Sequence, residues 1–264
     1  VGAPWTAARR FRLFGMLLAA AIVLASIVEV LSGFKITSDR ALDMAQRLWP
    51  PGTGELEWSV ILDALFLTAQ VAFGATVLGA ILALPVGVLA ARNVAPNSIV
   101  ASGLRLYIVS VRGVPEIVLA IVFIVMVGLG AVAGTIALAI GSIGLLGKLV
   151  ADSVEEVDPG VEQALRATGA SRVQVFFSAT LPQALPAFVG HLMYQLDVNF
   201  RLGTLLGIVG VPSLGFYILE ASRVGQWEVV TLVTLIVFGV VMFLELVAMW
   251  LRRTAGAKSS SGAA

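Results

Sequence analysis

Six apolar runs divide the chain: Leu13 to Leu31, Val60 to Ala91, Leu106 to Leu129, Ala131 to Val150, Leu185 to Val209 and Val229 to Leu251. A helix needs about 20 such residues to cross a hydrocarbon core, so the pattern predicts an all-α protein with about six transmembrane helices. The roughly ten-residue alternating strands of a membrane barrel are absent, and alanine, leucine and valine interspersed with glycine suit close helix packing. The first run has the flanks of a secretory leader, but it is long, lacks a convincing cleavage site and precedes five more runs. It is read as a retained helix. Between the fourth and fifth runs the pattern changes to a polar segment from Ser153 to Pro186, SVEEVDPGVEQALRATGASRVQVFFSATLPQALP.

Local signals inside that segment predict two short helices around a turn. Asp158 caps and Pro159 opens the first, an amphipathic stretch from Gly160 to Thr168, and Gly169 ends it. Ser171 caps a second helix with Val173, Phe176 and Phe177 as its apolar stripe, and Leu181-Pro182 is expected to break that helix before Pro186 opens the next span. Such a pair of helices makes a compact knob that can enter a groove of another protein. The blander reading is an amphipathic connection lying in the membrane interface.

Composition agrees with the pattern: 59% hydrophobic residues, 12% charged and a mean hydropathy of +0.99 exclude a soluble domain. One transmembrane domain, residues 1–264, uses nearly all of the length, with the polar loop at about 151–185 and a Ser/Gly/Ala-rich tail, Thr254 to Ala264, expected to be disordered. With no cysteine and His191 as the sole histidine, disulfides, thiolate sites and multi-histidine metal sites are excluded. The net charge of +1 carries no partner information, and no nucleic-acid partner is expected.

Lysine and arginine fix the expected orientation. With the N-terminus inside, the inner side holds Arg9, Arg10, Arg12, Arg92, Arg105, Lys148, Arg166, Arg172, Arg252, Arg253 and Lys258, against Lys35, Arg40, Arg47 and Arg223 outside. Both termini and the polar loop are then cytoplasmic. The outer connection from Ser32 to Glu57 carries Trp49, Trp58 and Pro50-Pro51, residues suited to an interfacial segment.

Ionisable residues inside the runs are the next candidates, because a charge at mid-bilayer costs roughly 2.5–3.5 kcal/mol on insertion scales unless it is paired or faces water. Arg112 and Glu116 lie four apart in the third run, Asp197 and Arg201 four apart in the fifth, so each pair can share one helical face. Either they neutralise themselves, or the arginines tune an anion pathway with Thr204 as a polar neighbour. Asn199 points to a different face. His191 reads as a packing or interfacial histidine, and Gly74, Gly79 and Gly87 as close-packing positions. There is no catalytic constellation: Gly141 to Lys148 lacks the hydroxyl that a phosphate-cradling loop places after its lysine, so this chain holds no ATP site or cofactor of its own.

The polar segment resembles the loop by which permease subunits of bacterial ABC importers dock onto their ATPase. The resemblance narrows to the phosphonate branch through Trp49-Pro50-Pro51, Gly128-Leu129-Gly130 with Ala133-Gly134, Gly144 with Lys148-Leu149, Asp158-Pro159-Gly160, Leu165-Arg166-Ala167-Thr168-Gly169-Ala170, and Leu181-Pro182-Gln183 with Leu185-Pro186. It implies a type I importer permease fold in a bacterial inner membrane and a phosphonate, phosphate or phosphite substrate. It also implies two ATPase subunits carrying ATP and magnesium, an extracytoplasmic binding protein, and a second permease that is either a copy or a related chain. The docking residues it implies are Glu162, Gln163, Ala164, Leu165, Arg166 and Gly169.

Three positions depart from the branch. Gln163 stands where its permeases carry a glutamate, Gly141 where a histidine is frequent, and Val211-Pro212-Ser213 follows Gly210 where a glycine-rich turn is usual. A neutral amide cannot form the charge-assisted pair that a carboxylate makes with arginine. Either Glu162 takes the contact by a small rotation of the helix, or this subunit docks more weakly; a non-identical second permease could keep the usual residues. A different class, a self-contained secondary transporter using Arg112, Glu116, Asp197 and Arg201, would call for inverted repeats, which the sequence lacks.

Overall fold

The computed structural model describes residues 5–33 and 38–260, with side chains described at 14–29, 32 and 42–251. Its contacts divide it into two units, Val1–Pro50 and Pro51–Ala264. In the first, α1 (Trp5–Gly33) carries the first apolar run, its described apolar stretch being Phe14–Glu29, and α2 (Ser38–Leu48) is amphipathic, with an Asp43–Arg47 pair at 3.0 Å one turn apart.

The second unit is built on α3 (Trp58–Ala90) and α6 (Ala131–Glu155), which lie side by side. A Cβ on Gly74 would stand 3.3 Å from Thr135, one on Gly79 would overlap Ser142, and one on Gly87 would stand 2.7 Å from the Gly147 carbonyl oxygen. The partners rise together, so the two helices run parallel, with glycine and alanine bringing the backbones close as expected of those positions. A parallel pair needs a return crossing between its members. That crossing is α4 (Ser98–Arg112) with α5 (Glu116–Val127), two helices bent by 81° at the break between them.

The break corrects the reading of Leu106 to Leu129 as one straight span. Pro115 has no N–H to give a helix, and its ring drives Val114 away from helical geometry. Arg112 therefore ends α4 and Glu116 begins α5, so they do not share a helical face. Each charge instead sits at the helix end that favours its sign.

After α6 the chain forms α7 (Pro159–Ala167), then α8 (Arg172–Val175), a π turn (Phe176–Thr180) and α9 (Leu181–Leu205) as one continuous helical rod. The expected break at Leu181-Pro182 does not occur. The Leu181 N–H reaches back five residues to the Phe176 carbonyl, and this wider turn lets the proline ring pass without ending the helix. Rod α9 runs antiparallel to α3, since Phe188 packs near Ala91, Asn199 bonds Thr76, and Gly203 lies on Thr68.

A 3₁₀ turn (Leu206–Val209) and Gly210, at φ +93°, lead into α10 (Leu214–Val224) and α11 (Trp227–Ser260). Gly207 and Gly215 meet opposing backbone here: a Cβ on Gly207 would overlap Phe216, and one on Gly215 would overlap the Thr204 carbonyl. Ile61, Phe200, Leu214, Val229 and Val233 form the core joining α3, α9, α10 and α11. The tail expected to lack structure from Thr254 begins inside α11, whose bound is Ser260, as its alanines and Lys258 favour helix; its last residues lie outside those described. Among the described residues four helices are long and apolar enough to cross a membrane, or five with the bent pair counted as one span.

Candidate functional site

Two groups of residues stand out, a knob beyond the ends of α3 and α6 and a set of polar side chains among the helices. Local chemistry builds the knob as its sequence predicts. The Asp158 carboxylate accepts from the Gly160 N–H at 2.9 Å with Pro159 at the first helical position, and Gly169 turns the chain at φ +86°, a left-handed conformation that glycine adopts freely. Ser171 and Gln174 complete a reciprocal capping box.

Two contacts tie the end of α6, from which the knob departs, to the α3–α4 connection and to α4. The Glu155 carboxylate accepts from the Arg92 backbone N–H at 2.6 Å and from the Arg105 guanidinium at 2.5 Å, while the Asn93 amide donates to the Val154 carbonyl at 2.8 Å. Sequence reasoning missed Glu155, whose partners lie 50 and 63 residues away.

Glu162 faces into the knob. It is 8% exposed, accepts a 2.5 Å hydrogen bond from the Thr180 hydroxyl, and pairs with Arg166 at 3.4 Å. Of the two alternatives left by the sequence, a rotation that would present Glu162 outward would have to break both partners. Gln163, Ala164 and Arg166 are exposed, as is Gly169, and Leu165 is half-buried. Val161, Val173 and Phe177 add an exposed apolar surface to the same knob. The knob thus offers amide, aliphatic and aromatic groups outward and spends its one buried carboxylate on holding itself together.

Among the described residues no ion pair joins Arg112 to Glu116, and each packs separately on a neighbouring glycine of α6. Both lie on α6, with Arg112 against Gly144 and Glu116 against Gly141, where a Cβ would approach their Cγ atoms to 2.7 and 2.6 Å. Gly141 thereby makes room for the Glu116 side chain. Glu116 also lines a cavity of about 170 Å³ with Leu202 and Leu205 of α9.

Asp197 and Arg201 do form an ion pair one turn apart on α9, Asp197 buried and Arg201 exposed, with the second Asp197 oxygen buried and unpartnered. Among the described residues no hydrogen bond or ion pair links this pair to Arg112 or Glu116. Thr204 does not join them either. Its hydroxyl bonds the Phe200 carbonyl at 3.1 Å and its own carbonyl accepts from Ser213, so it fastens the turn into α10.

A network not anticipated from sequence occupies the other face of α9. Gln195 donates to the Ser142 hydroxyl at 2.9 Å and to Asn199 at 3.1 Å, and Asn199 donates to Thr76 at 2.9 Å and to Ser142 at 3.0 Å. All four are buried and join α3, α6 and α9 in the apolar interior. The spacing of Gln195 and Asn199, one turn apart, was the available signal. His191 bonds Ser153 at 2.8 Å between α9 and α6, a packing role.

Comparisons with known proteins now bear on this geometry. Residues 83–257 match the family model described as binding-protein-dependent transport system inner membrane component. Over 206 residues the chain is 43% identical to the phosphate-import permease protein PhnE of Mycolicibacterium smegmatis, spanning 78% of this chain but 38% of that one. It is 33% identical over 203 residues to the phosphite transport system permease protein PtxC of Stutzerimonas stutzeri, covering 76% of this chain and 73% of the other. Inward-facing conformations of the MetNI methionine ABC transporter share the fold, with a TM-score of 0.68 over 75% of this chain and 97% of that chain at 23% identity. The match runs from the end of α3 into α11, including the knob and the rod Arg172–Val209, and on that basis the chain belongs to the family of binding-protein-dependent transport system inner membrane components.

Proposed function

We propose that this chain is a translocation subunit of an ATP-driven importer for a phosphorus oxyanion, and that the Pro159–Thr180 knob is where a separate ATPase subunit docks. One observation carries the reading: the second half of the knob, α8 and the π turn, belongs with the intramembrane Asp197–Arg201 pair to a single continuous helix, Arg172–Val209. From Arg172 to Arg201 that rod spans about 44 Å at 1.5 Å per residue. A push on α7 passes to that rod through the Glu162–Thr180 hydrogen bond, and from Thr180 it reaches the charge pair along continuous helix. Packed elements with two arrangements are the usual means of alternating access, and the chain supplies such an element rather than chemistry. ATP and magnesium belong to the ATPase subunits, two of them in this scheme, working with an extracytoplasmic binding protein and a second permease, a copy or a related chain. Both termini and the knob face the cytoplasm. The names of the two phosphorus-oxyanion relatives support the substrate class.

The test is uptake of radiolabelled phosphate, phosphite and methylphosphonate by the transporter reconstituted with its companion ATPase and binding protein. At least one should accumulate in an ATP-dependent way. If Arg201 supplies positive potential to the path, Arg201→Gln slows uptake roughly tenfold, equivalent to about 1.4 kcal/mol, while lowering the amount of assembled complex much less. Full rescue by adding Asp197→Asn would show that the pair only neutralises itself.

A further inference from the structure

We propose a second anion site, in the cleft between the α3–α4 connection and the knob, that binds a phosphate-bearing ligand. A cavity of about 350 Å³ opens there, inside the roughly 300–1,000 Å³ range of small-ligand sites. Arg92, Arg166 and Arg172 line it together with Asn93, Asn97 and Ser98, and neither aspartate nor glutamate contributes to the lining. The three arginines come from the α3–α4 connection, α7 and α8, so the tertiary fold and not a run of sequence brings them together.

Their charge is poorly matched within the chain. Among the described residues neither Arg92 nor Arg172 has a carboxylate within ion-pair distance, and Arg166 reaches only Glu162, at 3.4 Å, which Thr180 also holds. The neighbouring Glu155 is committed to the Arg92 backbone and to Arg105. Asn97 and Ser98 are the cap and first residue of the 15-residue α4, so the positive end of that helix lies beside the guanidinium groups. Three like charges held around one cleft repel unless an anion joins them, and guanidinium matches phosphate oxygens in pairs. The cleft lies just past the apolar span of α3, where both a lipid headgroup and a soluble oxyanion have access. None of its lining residues belongs to the Asp197–Arg201 pair, and it adjoins the surface of Val173 and Phe177 through Asn93, Arg166 and Arg172.

The full chain, purified into phosphatidylcholine nanodiscs, tests this by thermal unfolding with inorganic phosphate against chloride at equal ionic strength, and in parallel in nanodiscs containing phosphatidylglycerol. Saturable stabilisation by phosphate identifies a soluble ligand. Stabilisation by phosphatidylglycerol alone identifies a lipid headgroup. In either case Arg92→Gln, whose side chain is exposed and whose backbone bond to Glu155 is untouched, weakens the response about tenfold, and Arg223→Gln on α10 does not. Ser98→Asp, which places a negative charge in the cleft, abolishes the response in a chain that remains folded. No response to phosphate or phosphatidylglycerol overturns the proposal, as does a response that Arg92→Gln and Ser98→Asp both leave intact.

Discussion

Replacing Gly215 with valine is expected to keep the chain from reaching its folded state. Even a Cβ at this position overlaps the Thr204 carbonyl, and the opposing Gly207 already lies on the backbone of Phe216. Neither side can retreat cheaply. The Leu214 N–H donates to Thr68 at 3.1 Å, the Ser213 hydroxyl donates to the Thr204 carbonyl at 3.3 Å, and Leu214 is fully buried beside Phe200 and Val229. Overpacking of this kind against backbone costs on the order of 3 kcal/mol or more. Gly103→Ala is the contrast, because a Cβ there meets nothing within 4 Å and lies inside α4, where alanine favours helix by about 1 kcal/mol. The fraction of monodisperse protein after detergent extraction, with the thermal midpoint, measures both. Gly215→Val as stable as the parent would contradict the close approach of α9 and α10.

The second large effect is at Glu162. In Glu162→Ala the Thr180 hydroxyl, 1% exposed, keeps its burial and loses its acceptor, and Arg166 loses its partner. An unmatched buried polar group costs about 1–3 kcal/mol, which converts to a roughly tenfold to hundredfold rise in local opening of the knob. Trypsin cleavage after Arg166 or Arg172 should accelerate by that factor, and ATP-driven uptake should fall with it. Glu162→Gln, which retains an acceptor for Thr180, should lie between. Loss of uptake in Glu162→Ala with cleavage unchanged would mean that Glu162 touches the ATPase directly and not through the knob's own packing.

The knob was legible in the sequence where its signals are local. Asp158, Pro159, Gly169 and Ser171 act on backbone within three residues of themselves, so their roles follow from residue type and spacing. What escaped depends on partners far along the chain. Glu162 turns inward because Thr180 lies 18 residues on and a π turn aims it back. The Gln195 and Asn199 network needs Thr76 and Ser142 from two other helices. The bend at Gly113-Val114-Pro115 did have a local signal, a proline between two charges, but an unbroken apolar run on both sides concealed it. Hydropathy reports which residues avoid water and is blind to a change of direction within the bilayer. For the membrane charges, spacing identified the Asp197–Arg201 pair, while the placing of Arg112 on Gly144 and of Glu116 on Gly141 required the fold.

Docking of an ATPase on the knob is tested most directly by site-specific cross-linking. The chain has no cysteine, so Gln163→Cys introduces a single thiol on the exposed outer surface of α7. Membranes from cells expressing that variant with the whole transporter are treated with a short thiol-to-amine cross-linker, and the adducts are identified by mass spectrometry. Val125→Cys, 81% exposed on α5 away from the knob, serves as the control. Gln163→Cys should form an adduct with a nucleotide-binding ATPase subunit in yield that changes when ATP is added, and Val125→Cys should not. An active transporter in which Gln163→Cys forms no ATPase adduct, or forms one no more often than Val125→Cys does, would contradict docking through the knob.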